Sequence, residues 1–192
     1  MNTQPYLLPP KTGDSGLLLR FYHRLADTRI VVVALLCTIA LGSVMVHEVD
    51  GSMLTAFQTS FTPENARHIM REWGMENIAH FRTVFWLDDF FPAVQALFLA
   101  STIARLTAKR GDPGKILLAL FLTPFLAAAF DYIENILLLN LLEHLDTLPS
   151  EIVLALSIAS TAKMVFITIA MLGIITLVID KIIRRLKKQA EF

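Results

Sequence analysis

The chain has 192 residues, 55% of them hydrophobic, with a mean hydropathy of +0.58 and a formal net charge of zero. A composition this apolar excludes an ordinary soluble domain. The one cysteine, Cys37, lies inside an apolar run, and a single cysteine excludes an internal disulfide and any cysteine-based metal site.

Four apolar runs account for the hydropathy, and each is close to or longer than the roughly 20 residues that a helix needs to cross a bilayer. The predicted spans are about 30–47, 83–105, 116–142 and 152–179. We therefore predict an all-α polytopic membrane protein, in which residues 29–180 form a bundle of four transmembrane helices. Residues 1–28 and the basic stretch 181–192 are expected to be cytoplasmic tails.

The N-terminal tail contains one segment with a helical pattern. Its front is rich in proline and glycine and is expected to be disordered. The apolar residues between Leu17 and Leu25 then recur at helical spacing. This segment either lies in the plane of the lipid headgroups or extends the first span into the cytoplasm, and the pattern fits both.

The first connection, from about His47 to His80, is the longest and is expected to lie outside the membrane. Thr62 and Pro63 form a helix start, because a capping hydroxyl is followed by a proline at the first helical position. Gly74 is a typical helix stop. We predict a short amphipathic helix over the outer ends of the bundle, serving as a lid or as an interfacial anchor through Trp73.

The basic residues predict the orientation of the chain. Thirteen of the 17 Lys and Arg lie before span one, between spans two and three, or after span four. The opposite side carries only Arg67, Arg71 and Arg82. Because basic loops stay in the cytoplasm, both termini are expected there. The basic face is expected to attract anionic headgroups and no nucleic acid, since these residues flank membrane helices and form no separate domain.

Ionisable residues interrupt the third and fourth spans, where they are costly and often functional. With a helix rise of about 1.5 Å per residue, Asp131 and Lys163 each lie roughly 16 Å below the outer end of their span. Opposite charges at one depth on consecutive antiparallel helices are expected to meet. Glu134 and Asn135 share a helix face with Asp131 through their i+3 and i+4 spacing.

The second span adds two more acids, Asp88 and Asp89, about two turns inside its outer end. Pro92 follows, removes a backbone hydrogen bond and can bend the helix at these acids. Because four acids share one lysine, the negative charges that Lys163 leaves unpaired must be removed by a proton, hydrated by water or matched by a ligand cation. We therefore predict an outward-facing pocket within the membrane. Its polar-core candidates are Asp88, Asp89, Asp131, Glu134, Asn135 and Lys163, with Gln95, Tyr132, Ser157 and Ser160 in support.

Other chemistries have no signal in the sequence. The histidines of the connecting segments lack the spacing of a metal site, and nucleotide-binding and serine-hydrolase motifs do not occur. No metal or cofactor is expected, and no catalytic residue is assigned.

Four motifs carry a resemblance to a known group of proteins. They are Thr-Pro-Glu at 62–64, Arg-Glu-Trp-Gly at 71–74, Leu-Asp-Asp-Phe-Phe-Pro at 87–92 and Asp-Tyr-Ile-Glu-Asn at 131–135. Through them the chain resembles, over roughly residues 30–180, small bacterial four-helix membrane proteins without an assigned activity. The resemblance implies the four-span architecture and a location in a bacterial inner membrane. It favours Asp88, Asp131, Glu134 and Asn135 as site residues, but it implies no reaction.

Three functions remain open on the sequence alone. The leading hypothesis is a protein that binds or carries a small cationic or lipid-like ligand, with Asp131 and Glu134 as acceptors and Lys163 as their counter-ion. The second is a membrane-embedded, lipid-modifying enzyme that uses Glu134 or Asp131 as general acid or base. The third is an assembly partner in a membrane complex, in which the charged cluster is a structural salt bridge. The oligomeric state is not predicted.

Overall fold

The computed structural model describes residues 15–108 and 113–190, and within these ranges it contains eight helices and no strand. The helices are α1 (Ser15–Leu25), α2 (Thr28–Glu48), α3 (Gly51–Gln58), α4 (Pro63–Trp73), α5 (Met75–Val84), α6 (Trp86–Thr107), α7 (Gly114–Glu143) and α8 (Ser150–Ala190). Of these, α2, α6, α7 and α8 are long and apolar enough to span a membrane. The predicted all-α polytopic fold is therefore confirmed. The disorder expected at the front of the chain falls on residues outside the described ranges.

The four long helices do not contribute equally to the bundle. Helix α7 packs against both α6 and α8, and α6 also contacts α8, so these three form the centre. Helix α2 packs mainly against α6, and Ala34 is its one buried residue. Most of its other apolar side chains point away from the protein, as expected where lipid is the solvent.

Two of the long helices have bounds that differ from those of the predicted spans. Helix α5 ends at Val84 and α6 begins at Trp86, with Phe85 between them, so the acids Asp88 and Asp89 lie in the first turn of α6 and not two turns inside it. Helix α8 continues beyond the predicted end at residue 179 to Ala190, so the described part of the basic tail is helical. At about 1.5 Å per residue, its 41 residues extend roughly 60 Å, about twice the thickness of the hydrocarbon core.

Helix α1 is a separate element docked on the bundle. The Asp27 side chain accepts a hydrogen bond from the Arg29 N–H at 2.9 Å and caps α2, so the chain breaks between the two helices. Tyr22 is fully buried, shares a hydrogen bond with Thr107 of α6 and meets the Phe121 ring edge to face. The alternative in which this segment extends the first span is therefore wrong.

The first connection folds into three helices, α3 to α5, and we call the end of the bundle that carries them the loop end. Helix α4 has the predicted bounds: the Thr62 hydroxyl accepts the N–H of Asn65 at 3.3 Å, and Gly74 closes the helix with a φ of 84°. The expected interfacial anchor at Trp73 is wrong. That side chain is 4% exposed and packs against Phe81 in a core cluster under the loop helices.

Candidate functional site

The charged residues of α7 and α8 meet inside the bundle. Lys163 Nζ lies 3.1 Å from Oδ1 of Asp131 and 2.7 Å from Oε1 of Glu134. Glu134 is fully buried, Asp131 is 5% exposed, and the Lys163 side chain is 15% exposed. The contact expected from equal depth is therefore confirmed. One ammonium group bridges two carboxyl groups that lie one helical turn apart.

One face of α7 carries this cluster, and the neighbouring face points away from the other helices. Asp131, Glu134 and Asn135 are all buried, as their spacing predicts. Tyr132 and Ile133, which lie between them in sequence, are 38% and 47% exposed. The segment 131–135 therefore has a polar face that points into the bundle and a second face, at the bundle surface, that is suited to lipid.

The proline of α6 explains one of the two hydrogen bonds that side chains of α7 donate to the start of α6. Pro92 has no N–H, so it leaves the backbone carbonyl of Asp88 without its usual helical partner. The side-chain amide of Asn135 donates to that carbonyl at 3.3 Å. Beside it, the Tyr132 hydroxyl donates to the backbone carbonyl of Asp89 at 3.0 Å. Asn135 and Tyr132 thus connect α7 to the start of α6 through the backbone carbonyls of Asp88 and Asp89, and not through their carboxyl groups.

Sequence reasoning missed Gln58, the last residue of α3. Its side chain is 5% exposed, and its amide donates a hydrogen bond to Oε1 of Glu134, the oxygen that also accepts from Lys163. Asp50 and Ser52 form a recognisable cap for α3, so the helix itself had a signal. Nothing in the sequence indicates that its last residue contacts a glutamate 76 positions away.

The loop end closes over the cluster. In addition to the Gln58 contact, the backbone N–H of Phe61, between α3 and α4, donates to the Ser157 hydroxyl of α8 at 2.9 Å. The outward-facing pocket expected from the sequence is therefore shut in this structure. The physical reason is that the first connection folds back as packed helices and buries the acids beneath it.

The remaining candidates divide into two groups. Asp88 is 7% exposed and lies near Asp131 and Glu134, and its carboxyl group forms no hydrogen bond or ion pair with the described residues. Asp89 is exposed, because it points about 100° away from Asp88 around α6, and it does not belong to the cluster. Gln95 is half-buried and forms no side-chain hydrogen bond with the described part of the chain.

Several buried polar atoms at the site lack a partner. Among the described residues, Oε2 of Glu134, Oδ1 of Asn135 and Oγ of Ser160 form no hydrogen bond. Ser160 is fully buried next to Glu134, but its hydroxyl lies outside hydrogen-bond geometry. Oδ1 of Asn135 can only accept, Oε2 of Glu134 can only accept while its carboxyl group is ionised, and three buried carboxyl groups lie around the ammonium group of Lys163. The site therefore has more acceptors than donors, and it suits a ligand that donates hydrogen bonds or carries positive charge.

A metal site does not emerge from the geometry. Within residues 15–108 and 113–190, no group of three or more His, Cys, Asp or Glu side chains is placed to hold a metal ion. His80 pairs instead with Glu48, with 3.1 Å between Nε2 and Oε2.

No model of a known protein family matches this chain, and comparisons with curated proteins and with solved structures give no match. The resemblance to small bacterial four-helix membrane proteins stays a prediction. The class of the protein rests on its fold: it is an all-α polytopic membrane protein with a closed cluster of acids and one lysine inside its bundle.

Proposed function

We propose that the protein binds or carries a small cationic or lipid-like ligand at the cluster of Asp131, Glu134 and Lys163. The observation that carries this proposal is the surplus of buried acceptors, above all the unpaired Oε2 of Glu134. An unpaired buried polar group costs about 1–3 kcal/mol, and such groups are rare in folded proteins. A ligand that donates hydrogen bonds to these atoms would recover that free energy as affinity.

Each charged residue has a distinct role in the proposal. Lys163 is the internal counter-ion that orients the carboxyl groups of Asp131 and Glu134 toward each other. Asp88 supplies a third carboxyl group, and no cation among the described residues pairs with it. A purely structural knot between α7 and α8 needs only Lys163 and one acid, so the third acid favours a ligand.

The membrane orientation belongs to the same proposal. We place the protein in a bacterial inner membrane with both tails in the cytoplasm, so that the loop end faces outward and the ligand reaches the cluster from that side. The support is the excess of Lys and Arg at the end of the bundle opposite to the loop end.

The test is mass spectrometry of small molecules and lipids retained by the purified protein. We expect one species to be retained by the wild-type protein and lost from Asp131→Asn and Glu134→Gln, while both variants accumulate in the membrane and fold. Asp146→Asn, at an exposed position in the turn before α8, is the matched control and should retain the species. Failure of both cluster variants to accumulate would support the structural role instead. Conversion of a retained lipid to a product would identify an enzyme.

A further inference from the structure

Within the described part of the chain, Gln58 is the only side chain of the loop helices that hydrogen-bonds an acid of the cluster. Its amide is a neutral donor, and it shares Oε1 of Glu134 with the ammonium of Lys163. Among the described residues, the other oxygen of the same carboxyl group, Oε2, has no hydrogen-bond partner, and neither has Oδ1 of the next residue, Asn135. The loop helices thus contact the acids through a hydrogen-bond donor. This donor lies on the same carboxyl group to which a ligand would have to donate.

The segment that follows Gln58 contains a residue with a strained backbone conformation. After α3, Phe61 adopts a φ of 60°, a left-handed conformation that is uncommon for a residue other than glycine, and its side chain is 46% exposed. The backbone N–H of Phe61 donates a hydrogen bond to the Ser157 hydroxyl. The buried hydroxyl of Ser60 has no hydrogen-bond partner in the described chain. Backbone strain of this kind collects at segments that switch between conformations.

Resting on the function proposed above, we propose that Gln58 closes the site and that the ligand which displaces it is a protonated amine. Replacing the Gln58 amide at Glu134 requires another N–H donor, and the unpaired acceptors on Glu134 and Asn135 require more of them. A primary ammonium group supplies three N–H donors and a positive charge. A quaternary ammonium group supplies the charge but no donor, so it leaves the same acceptors unpaired.

This difference gives a direct test on the unmodified protein. Binding of butylammonium and of butyltrimethylammonium to the full chain in nanodiscs is measured by calorimetry, with butanol as the uncharged control. Sites built to hydrogen-bond a ligand discriminate strongly against analogues that lack the donor. We expect butylammonium to bind at least about tenfold more tightly than the quaternary analogue.

The two proposals fail in different ways in this experiment. Equal affinity for the two cations overturns the assignment of a protonated amine and leaves the proposed cation site standing. Binding of neither cation, together with no species retained on purification, overturns the proposed function itself. Equal binding of butanol shows that only the alkyl chain is recognised and overturns the assignment as well.

The role of Gln58 is tested by Gln58→Met, which keeps the length of the side chain and removes its donor. Because the amide no longer competes for Glu134, butylammonium should bind about tenfold more tightly. Gln189→Met, at an exposed position near the end of α8, is the matched control and should bind as the wild type does. Weaker or unchanged binding to Gln58→Met would show that the ligand does not displace this side chain. If that variant does not fold, Gln58→Ala is measured in its place with the same expectation.

Discussion

The side-chain amide of Asn135 donates a hydrogen bond to the backbone carbonyl of Asp88, with 3.3 Å between Nδ2 and the oxygen. The carbonyl is available because Pro92, four residues later, has no N–H to offer. A second case occurs in α7, where the Thr123 hydroxyl donates at 2.7 Å to the carbonyl of Leu120, which Pro124 leaves without its helical partner. Both prolines lie within membrane helices, where every backbone group needs an internal partner.

Replacement of Asn135 by Leu should therefore destabilise the protein by about 1–3 kcal/mol, because the carbonyl of Asp88 is left unpaired in a buried place. The cost should fall in a background of Pro92→Ala, since residue 92 then has an N–H for that carbonyl. The measurement is the free energy of unfolding of the two single variants and the double variant. Equal costs of Asn135→Leu in both backgrounds would contradict this role of Asn135.

Lys163→Met should destabilise the protein by about 3–5 kcal/mol, because it leaves two buried carboxyl groups without their cation. The variant that also carries Asp131→Asn and Glu134→Gln should recover part of the loss, since neutral amides are cheaper to bury than unpaired acids. Lys181→Met, at an exposed position of α8, is the control and should have little effect. Unfolding is followed for all three proteins, and equal losses for Lys163→Met and Lys181→Met would argue against the ion pair.

Gly173 of α8 packs directly against the side chain of Leu120 in α7. A Cβ atom built there would lie 2.5 Å from Cδ1 of Leu120, so Gly173→Ala forces that side chain to move. We expect a loss of about 1–3 kcal/mol, and a smaller loss when Leu120 is already replaced by Ala. At Gly16 a Cβ atom would meet nothing within 4 Å, and Gly16→Ala should not destabilise the protein. Strict additivity of Gly173→Ala and Leu120→Ala would rule out the steric explanation.

The cap of α3 makes this helix sensitive to acid. The hydrogen bond from the Ser52 side chain and then that from the Met53 backbone lower the pKa of Asp50 below its ordinary value. A lowered pKa means that the charged carboxylate stabilises the folded helix. This contribution is complete above the ordinary pKa of the carboxyl group and is lost as the pH falls through the lowered pKa.

Asp50→Ala should accordingly increase amide hydrogen exchange throughout α3, whereas Asp50→Asn, which also caps helices, should not. After correction for intrinsic rates, exchange in α3 of the wild-type protein should increase at acidic pH, and the Asn variant should lack this increase. The same pH response in both proteins would place the acid sensitivity elsewhere.

The proposed orientation is tested by labelling single cysteines in the Cys37→Ser background. Cysteine replaces either Glu76, exposed on α5, or Gln189, exposed on α8. In intact cells a membrane-impermeant maleimide should label the first position, and it should label the second only after the membrane is opened. The reverse pattern would invert the topology and place the loop end in the cytoplasm.

The sequence by itself determined the four long helices, the helix α4 and the contact between the charged residues, but α3 and α5 were not predicted from it. Apolar length identified the four long helices, and local signals identified α4 from Thr62 to Gly74, because caps depend only on neighbouring residues. The contact between Asp131 and Lys163 was also predictable. A helix rises by a fixed distance per residue, so depth in the membrane follows from counting along each span.

Only the tertiary structure decided what surrounds that pair. The contact of Gln58 with Glu134, the burial of Trp73 and the exposure of Asp89 all depend on how the first connection folds back and on how each helix is rotated against its neighbours. Apolar periodicity is weak in helices that meet lipid on one side and protein on the other, since both environments accept the same side chains. The sequence therefore specified how far along each helix the charged residues lie. The packing of the helices specified which residues surround them and that Gln58 covers them.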